Sequence, residues 1–232
     1  MNFEDKVKAQ YEAEQGQAYH DAKHNLAEHA HRWVVNHRTK KIARHVSPSD
    51  HVLEYGVGSG WNLAGVSCAR KSGYDLSTHL RPVLEKQGID FISDASTVKA
   101  GSVDVVICHH MLEHASHPPE VLSDIWRMLK PSGRLLLFVP YEKEKRYHHY
   151  DPDEPNHHLY SWNVQTLGNL VENLGFSLKE GAIRNFGYDR FASAWSHKLR
   201  LGEIGYRTVR RLLHTLKPCY EVVVVAEKSD RD

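Results

Sequence analysis

The chain has 232 residues, of which 41% are apolar and 25% charged, and its formal net charge is +1. This composition is that of a globular protein with a substantial core, and it excludes a disordered chain and one built for bulk electrostatic capture of nucleic acid. No apolar run reaches the length of a membrane span, and the N-terminus, M-N-F-E-D-K-V-K, lacks the apolar centre of a signal peptide, so the cytoplasm is the expected compartment. The three cysteines are far apart and indicate neither a disulfide framework nor a zinc knuckle.

The first fifty residues or so are polar and helical in tendency, with no clear strand. Their few apolar residues, among them Tyr11, Tyr19 and Trp33, are spaced loosely for one helical face. This is too little apolar surface for an independent core, so residues 1–46 are predicted to form a helical cap on the domain that follows. The three aromatic residues either close over a ligand of that domain or anchor the cap to it.

From residue 51 onward, short apolar runs alternate with helical patterns, which indicates a parallel doubly wound sheet. The predicted strands of this part are H-V-L-E-Y at 51–55, a short one that ends at G-Y-D in 73–75, I-D-F-I at 89–92, V-D-V-V-I-C at 103–108 and R-L-L-L-F-V at 134–139. The predicted helices lie at 61–69, 80–87 and 118–129. The run at 103–108 is almost entirely apolar, as in a central strand that is covered on both faces.

The second half of the chain begins with a charged, His-rich segment at 141–155 that reads as a loop. A helix follows that Asn163 can cap and Gly175 can end. Two further strands are predicted, at 176–184 and 219–226. Between them lies an insert, residues 185–218, with two aromatic clusters and a basic amphipathic helix. Residues 47–232 are therefore predicted to form one domain that contains this insert.

The most informative stretch is V-L-E-Y-G-V-G-S-G at 52–60, where a strand runs into a carboxylate and then into three glycines at alternate positions. Glycine lets a backbone turn sharply and approach a ligand with no Cβ in the way. The spacing is G-x-G-x-G, whereas pyrophosphate binders have G-x-G-x-x-G. Glu54, two residues before the first glycine of the motif, would repel a pyrophosphate and attract a ligand that carries positive charge.

This succession resembles the class I S-adenosylmethionine-dependent methyltransferases, in particular the small-molecule group that includes the ubiquinone-biosynthesis and sugar methyltransferases. The resemblance covers roughly residues 50–180, and its strongest parts are 52–60, G-Y-D-L-S at 73–77 and D-V-V-I-C-H-H-M-L-E-H at 104–114. It implies a Rossmann-like α/β fold with seven strands in the order 3-2-1-4-5-7-6, the last strand antiparallel. It also implies S-adenosyl-L-methionine as the cofactor, with S-adenosyl-L-homocysteine as product, at the carboxyl ends of strands one to four.

The resemblance further implies ligand roles for individual residues. Asp75 would take the ribose hydroxyls, since a carboxylate can accept from both, and Asp94 would accept from the adenine amino group. The complete set of candidate cofactor contacts is Glu54, Tyr55, Gly56, Gly58, Gly60, Asp75, Leu76, Asp94, Ala95 and His109. Taken singly, each of the two aspartates could equally be a helix cap or a surface carboxylate. The interval from Gly60 to Asp75 is short, so the helix predicted between them must be compact.

Three histidines, His110, His114 and His158, are candidates for the general base that removes a proton from a hydroxyl acceptor. A histidine suits this task because its ordinary pKa lies near neutrality. His110, Glu113 and His114 also match the inverted zinc-peptidase pattern H-x-x-E-H, and some members of the ubiquinone group hold a metal near this segment. Most members of the family work without a metal, so we expect none here.

The sequence therefore predicts a methyltransferase that acts on a small-molecule acceptor, with oxygen as the first choice of acceptor atom, nitrogen the second and carbon also open. Three alternatives are an RNA methyltransferase that uses the basic insert, a methyltransferase-like binding protein without activity, and a nicotinamide dehydrogenase. The near-zero net charge argues against nucleic acid as a partner. The intact glycines and carboxylates argue against a decayed site. The basic helix could also meet a membrane surface, grip an acidic small substrate, or be a solvated face.

Overall fold

A seven-stranded sheet organises the chain, which this computed structural model describes over residues 28–152, 154 and 156–229. The strands are β1 (His51–Tyr55), β2 (Arg70–Tyr74), β3 (Asp90–Ile92), β4 (Val103–His109), β5 (Leu129–Pro140), β6 (Phe176–Asn185) and β7 (Tyr220–Lys228). The helices are α1 (Glu28–Ala43), α2 (Arg81–Lys86), α3 (Pro118–Met128), α4 (Val164–Asn173), α5 (Asp189–Lys198) and α6 (Gly202–Leu216). Short 3₁₀ turns lie at Thr78–Leu80, Ala95–Thr97, Leu112–His114 and Lys145–His148.

The strand order is β3-β2-β1-β4-β5-β7-β6, which confirms the order that the family resemblance implied. Strands β1 to β5 pair in parallel, whereas β7 lies antiparallel between β5 and β6. The carboxyl ends of the parallel strands therefore meet at one edge of the sheet. Because β7 runs the other way, its beginning lies at this same edge.

Both faces of the sheet are buried, as the apolar run of β4 predicted. Val106 and Cys108 belong to a core shared with α3 and α4. Val105 and Ile107 belong to the core on the opposite face, which includes Ile42 of α1 and part of α2. Fully burying an aliphatic side chain of this size contributes roughly 1.5–3 kcal/mol, so these two layers form a rigid support for the loops at the carboxyl edge.

The predicted helix at 61–69 is wrong, because residues 61–65 form successive turns. The backbone here is held by short-range bonds in which the N–H groups of the next turn donate to the Gly60 carbonyl. Gly65 packs so closely on α1 that a Cβ there would stand 2.4 Å from Thr39 Oγ1. This contact with α1 requires a residue without a side chain at position 65, and the short interval before β2 is spanned by turns.

The insert at 185–218 forms α5 and α6, which pack against each other and against α1. Trp33 of α1 is 9% exposed and stacks on Tyr206 of α6, with ring centroids 6.3 Å apart. This contact agrees with the interpretation of Trp33 as an anchor. Tyr11 and Tyr19 lie outside the described residues, as does the rest of the predicted cap before α1.

A buried carboxylate, Asp189, ties the insert to α1. Its Oδ2 accepts from Arg38 Nε over 3.2 Å. Its Oδ1 accepts from Arg210 Nε over 2.9 Å and from the Tyr206 hydroxyl over 3.1 Å. Although burial opposes ionisation, the two guanidiniums hold the pKa of Asp189 below its usual value. One carboxylate thus joins α1, α5 and α6.

The sequence predicted no membrane span and no disulfide framework. Within the part of the chain that the structure describes, no helix is both long enough and apolar enough to cross a bilayer. The three cysteines are free thiols. Cys108 is buried in β4, as its apolar strand predicted, whereas Cys219 is partly exposed just before β7.

We expect Asp189→Asn to lower the free energy of unfolding by about 3 kcal/mol, because removing one partner of a buried ion pair leaves the other charges uncompensated. The folded-state pKa of Asp189 is depressed, so its contribution is present above about pH 4 and is lost as the pH falls through the folded-state pKa. Urea denaturation near neutral pH measures the loss.

Glu203→Gln is the matched control for Asp189→Asn, because it removes an acidic partner of Arg207 from the solvent-exposed side of α6. An exposed i,i+4 pair contributes only about 0.3–0.5 kcal/mol, so this variant should unfold almost as the wild type does. Equal losses in the two variants would contradict the anchoring role of Asp189.

Candidate active site

A cavity of about 560 Å³ opens at the carboxyl edge of the sheet. Its walls come from the glycine loop after β1, the segment after β4, the segment 140–158 after β5, and the insert. Arg38 of α1 and Tyr220 at the start of β7 complete it. The volume lies within the range of about 300–1,000 Å³ that is usual for small-molecule sites.

The loop after β1 turns sharply at its glycines. Gly56, Gly58 and Gly60 have φ angles of +78°, +52° and +77°, in the left-handed region that other residues rarely adopt. At Gly56 a Cβ would also stand 2.5 Å from Met111 Cγ. The loop can therefore lie this close to the segment after β4 only because position 56 has no side chain.

Glu54 lies on the wall of this cavity and is 1% exposed. Asn62 Nδ2 donates to its Oε1 over 2.6 Å, while its Oε2 has no hydrogen-bond partner among the described residues. Burial raises the pKa of Glu54 to about 8, against the opposing effects of the Asn62 hydrogen bond and of the charges on Arg38 and Lys41. A buried carboxylate of this kind is short of positive charge, which a cationic ligand would supply.

Asp75 follows β2 and is 9% exposed. Its Oδ2 accepts from Gly58 N over 2.8 Å, and its Oδ1 accepts from Ser77 N over 2.9 Å. The carboxylate is therefore bonded directly to the glycine loop, although Asp75 is not among the residues that line the cavity.

Asp94 follows β3 and is exposed. It caps the turn Ala95–Thr97 by accepting from Ser96 N, and hydrogen bonds from Ser96 lower the pKa of this carboxyl. The candidate contacts that lie away from the cavity wall are Tyr55, Gly60, Asp75, Leu76, Asp94 and Ala95. Those that the fold brings together on the wall are Glu54, Gly56, Gly58 and His109.

His109 and His110 contact a lysine–glutamate pair that the sequence did not reveal. Lys41 Nζ donates to His109 Nε2 over 2.7 Å and to both carboxylate oxygens of Glu221 over 3.1 and 3.2 Å. Because His109 Nε2 accepts, its ring proton is on Nδ1. His110 Nε2 lies 3.3 Å from Glu221 Oε2. Burial lowers the pKa of both histidines, so both rings are neutral near pH 7.

His158 contacts a carboxylate that the sequence analysis also missed. Its Nδ1 lies 2.5 Å from Glu142 Oε1, at the carboxyl end of β5. The ring of His158 meets the ring of His114 edge-on, with centroids 4.8 Å apart. Two of the three histidine candidates therefore lie together, and His158 has an acidic partner on one ring nitrogen.

The position of His158 is fixed by backbone bonds. Leu159 N and Tyr160 N both donate to the carbonyl of Glu113, over 2.8 and 3.3 Å. These bonds hold the segment after the acidic loop against the segment after β4. The loop that carries His158 is thus attached to the cavity by main-chain atoms.

Among the residues that the structure describes, two groups of side chains offer metal-ligand atoms within 4.8 Å of one another. The first is His109, His110 and Glu221, where the Lys41 ammonium already supplies the positive charge. The second is Glu113, His114 and His158, whose donor set of one carboxylate and two imidazoles suits a divalent transition metal. The zinc-peptidase pattern itself lacks its context, because Leu112–His114 is a single 3₁₀ turn and not part of a helix.

The insert forms the remaining wall of the cavity. The ring of Phe186 lies 4.1 Å from that of His110, centroid to centroid. Tyr188 has a positive φ of 64°, and its hydroxyl donates to the Lys217 carbonyl over 2.6 Å. Asp189 and Phe191 also line the cavity. No motif pointed to these residues, because the insert lies outside the stretch that resembles a known family.

Comparisons with known proteins agree with this geometry. A family model described as a methyltransferase domain matches residues 20–180. The ubiquinone biosynthesis O-methyltransferase of Xanthomonas oryzae pv. oryzae (strain PXO99A) is 32% identical over 100 residues, which are 37% of this chain and 41% of that protein. The chain therefore covers less than half the length of this relative.

Solved structures share the fold at low sequence identity. Phosphoethanolamine N-methyltransferase 2 of Haemonchus contortus, in complex with S-adenosyl-L-methionine, has a TM-score of 0.64 at 18% identity over 100% of this chain and 60% of that one. The [4+2]-cyclase SpnF has a TM-score of 0.62 at 16% identity over 98% of this chain and 97% of its own. Because a cyclase is among these structures, the fold alone does not determine the reaction.

We expect Glu54→Gln to raise the free energy of unfolding near pH 8 by about 3 kcal/mol. The folded-state pKa of about 8 lies above the ordinary value, so the wild type loses stability as the pH rises from about 4.5 towards 8. Glutamine has no proton to lose and can still accept from Asn62. Thermal denaturation across this pH range measures the gap, which should close at the acidic end.

Glu180→Gln on β6 is the control, because its side chain pairs with arginines at the surface and does not line the cavity. It should show no gap that widens with pH. If the difference between Glu54→Gln and wild type were the same at every pH, the buried carboxylate would not be its cause.

Proposed function

The chain belongs to the class I S-adenosylmethionine-dependent methyltransferases, and we propose that it transfers a methyl group from S-adenosyl-L-methionine to an oxygen of a small-molecule acceptor. Nitrogen is the second choice of acceptor atom. The observation that carries this proposal is the buried Glu54, whose Oε2 has no hydrogen-bond partner within the described ranges and which lies on the cavity wall beside the glycine loop. S-adenosyl-L-homocysteine is the corresponding product.

The residues around the glycine loop match the charges of this donor. Glu54 offers a carboxylate to its ammonium and sulfonium, while the Arg38 guanidinium on the same cavity suits its carboxylate. Asp75 and Asp94 would take the ribose hydroxyls and the adenine amino group, and both follow strands that end at the same edge. A cation beside Glu54 favours the ionised form, so donor binding would release the proton that burial retains in the free protein.

We assign the general base to His158. Glu142 holds Nδ1, which leaves Nε2 to accept the proton of an acceptor hydroxyl, and the carboxylate stabilises the imidazolium that results. His110 suits this role less, because Glu221 and Phe186 hold its ring and burial lowers its pKa. His114 lies against His158 and would shape the acceptor side of the cavity.

S-adenosyl-L-methionine supplies, when bound, a methyl group that its sulfonium makes electrophilic. The task of the protein is then alignment of the acceptor oxygen and removal of its proton. With His158 as the base, the reaction needs no metal. An ion held by Glu113, His114 and His158 would occupy the imidazole that this mechanism uses as the base.

The domain organisation, the class of acceptor and the compartment complete the proposal. Residues 47–232 would form the catalytic domain and residues 1–46 its cap, with the insert as part of the acceptor wall. The acceptor would be a small molecule and not nucleic acid, because a net charge of +1 does not favour attraction of the whole protein to a polyanion. The cytoplasm remains the proposed compartment.

Calorimetric titration of the full chain with S-adenosyl-L-homocysteine tests the donor site. We expect saturable binding, at least tenfold weaker in Glu54→Gln because a buried charge partner is lost. Glu180→Gln should bind as the wild type does, and the oxidised nicotinamide dinucleotide should not bind. The proposed function would be overturned if neither the donor nor its product bound, or if Glu54→Gln bound them as tightly as the wild type.

Methyl transfer from labelled donor to a panel of hydroxylated and amine acceptors tests the chemistry, and the same assays with a chelator test the metal-free mechanism. With a hydroxyl acceptor, we expect His158→Ala to lower kcat by about 10²–10⁴-fold, the usual loss for a general base, and to leave donor affinity unchanged. His149→Ala, in an exposed position of the same loop, is the control. A His158→Ala variant with wild-type kcat, or activity that a chelator abolishes, would reject this role for His158.

A further inference from the structure

A second cavity, of about 310 Å³, lies between α1 and α6, outside the candidate active site. The residues on its wall that could contact a ligand by charge or hydrogen bond include His37, Asn185, Arg207, Arg210, Arg211 and His214. Within the described part of the chain, no acidic residue lines it. The cavity is therefore strongly cationic, although the protein as a whole is almost neutral.

The cationic residues share one face of α6. Arg207, Arg210, Arg211 and His214 follow the spacing i, i+3, i+4 and i+7, which places all four side chains on the same side of a helix. Helices of globular proteins commonly present apolar residues in this pattern. Here the pattern presents three guanidiniums, and like charges at these spacings repel one another. Negative charge opposite this face of α6 would relieve that repulsion.

The protein itself supplies only part of that negative charge. Arg210 Nε donates to Asp189, and Arg207 Nη2 donates to Glu203 at the surface. The Arg211 guanidinium makes no hydrogen bond or ion pair with any residue that the structure describes. One full positive charge is thus left over at the cavity, together with the free N–H groups of Arg210.

His214 is an independent indication of a ligand. It is 9% exposed, and neither of its ring nitrogens has a hydrogen-bond partner among the residues that the structure describes. Its ring meets Tyr188 edge-on, with centroids 5.2 Å apart, so one side is held by an aromatic contact alone. Buried polar atoms are nearly always hydrogen-bonded in folded proteins, so two buried ring nitrogens without partners at the wall of a cationic cavity fit a site that takes a hydrogen-bonding group.

The positive potential of the cavity acts on its histidines as well. Burial, followed by the charge of Arg210, lowers the pKa of His37 to about 4 and lowers that of His214. Both rings are therefore neutral in the free protein near pH 7. Either can donate to an anion with one nitrogen without an added charge.

We propose that this second cavity binds a small phosphate-bearing anion, either inorganic phosphate or the phosphate group of a small molecule. Planar guanidiniums bind phosphate oxygens through two parallel hydrogen bonds, and the Arg211 guanidinium together with the free N–H groups of Arg210 provides donors of this kind. The polar groups of Asn185 and His214 supply further partners. A row on one recessed helix face does not form the extended surface that an RNA strand would follow.

Calorimetric titration of the full chain with inorganic phosphate, against sodium chloride at matched ionic strength, tests this site. We expect saturable binding that Arg211→Gln weakens about tenfold, because one charge-assisted partner is lost. Lys198→Gln removes an exposed positive charge from α5 away from the cavity, and it should bind phosphate as the wild type does. Arg211→Lys, which keeps the charge but not the planar fork, should fall between the two.

Glycerol 3-phosphate, titrated in the same way, distinguishes the two sources of phosphate. Tighter binding of the ester supports a phosphate carried by a larger molecule, and tighter binding of the inorganic ion supports a free anion. The proposal is overturned if neither binds saturably, if Arg211→Gln binds as the wild type does, or if only single-stranded RNA binds, with steep salt dependence. S-adenosyl-L-homocysteine binding is measured on the same samples, so failure at this cavity can be told from failure of the proposed function.

Discussion

A carboxylate that is buried without enough positive charge around it is the constraint on which the site depends. Glu54 lies near the carboxyl end of β1. This strand stands between β2 and β4, and the sheet keeps water away from the side chain. Asn62 satisfies one oxygen, and nothing in the described chain satisfies the other. Folding alone gains nothing from such a group, because burial disfavours its charged form. A buried carboxylate with a raised pKa and an unpaired oxygen is typical of a ligand-binding position.

The topology explains why distant residues gather around that carboxylate. The parallel strands bring their carboxyl ends to one edge, so the loops after β1, β4 and β5 meet there. The reversed direction of β7 adds Glu221, because an antiparallel strand begins where its neighbours end. Lys41 of α1 then pairs with Glu221 and holds His109. The charged groups that contact His109 and His110 thus depend on strand direction as much as on local motifs.

The central sheet could be predicted from the sequence because its signals are local. The glycine turn at 56–60 and the capping box at Asn163 each act over a few residues, and both are present in the structure. The helix predicted from Trp61 is replaced by turns at 61–65, a segment that packs against α1 at Gly65, and no local pattern shows such a distant contact. Glu142 and Lys41 could not have been found, since each reaches its histidine partner through tertiary packing and belongs to no motif. Glu221 could have been predicted, because the family resemblance implied an antiparallel last strand. Such a strand begins at the edge where the parallel strands end.

The segment that carries His158 is held in place by main-chain hydrogen bonds of its neighbours. Leu159 and Tyr160 attach their loop to the Glu113 carbonyl through amide groups, which every residue except proline possesses. The side chain at 158 contributes nothing to that attachment. A substitution at position 158 therefore leaves these main-chain bonds in place, so the side chain that faces Glu142 and His114 can change without loss of the loop's attachment.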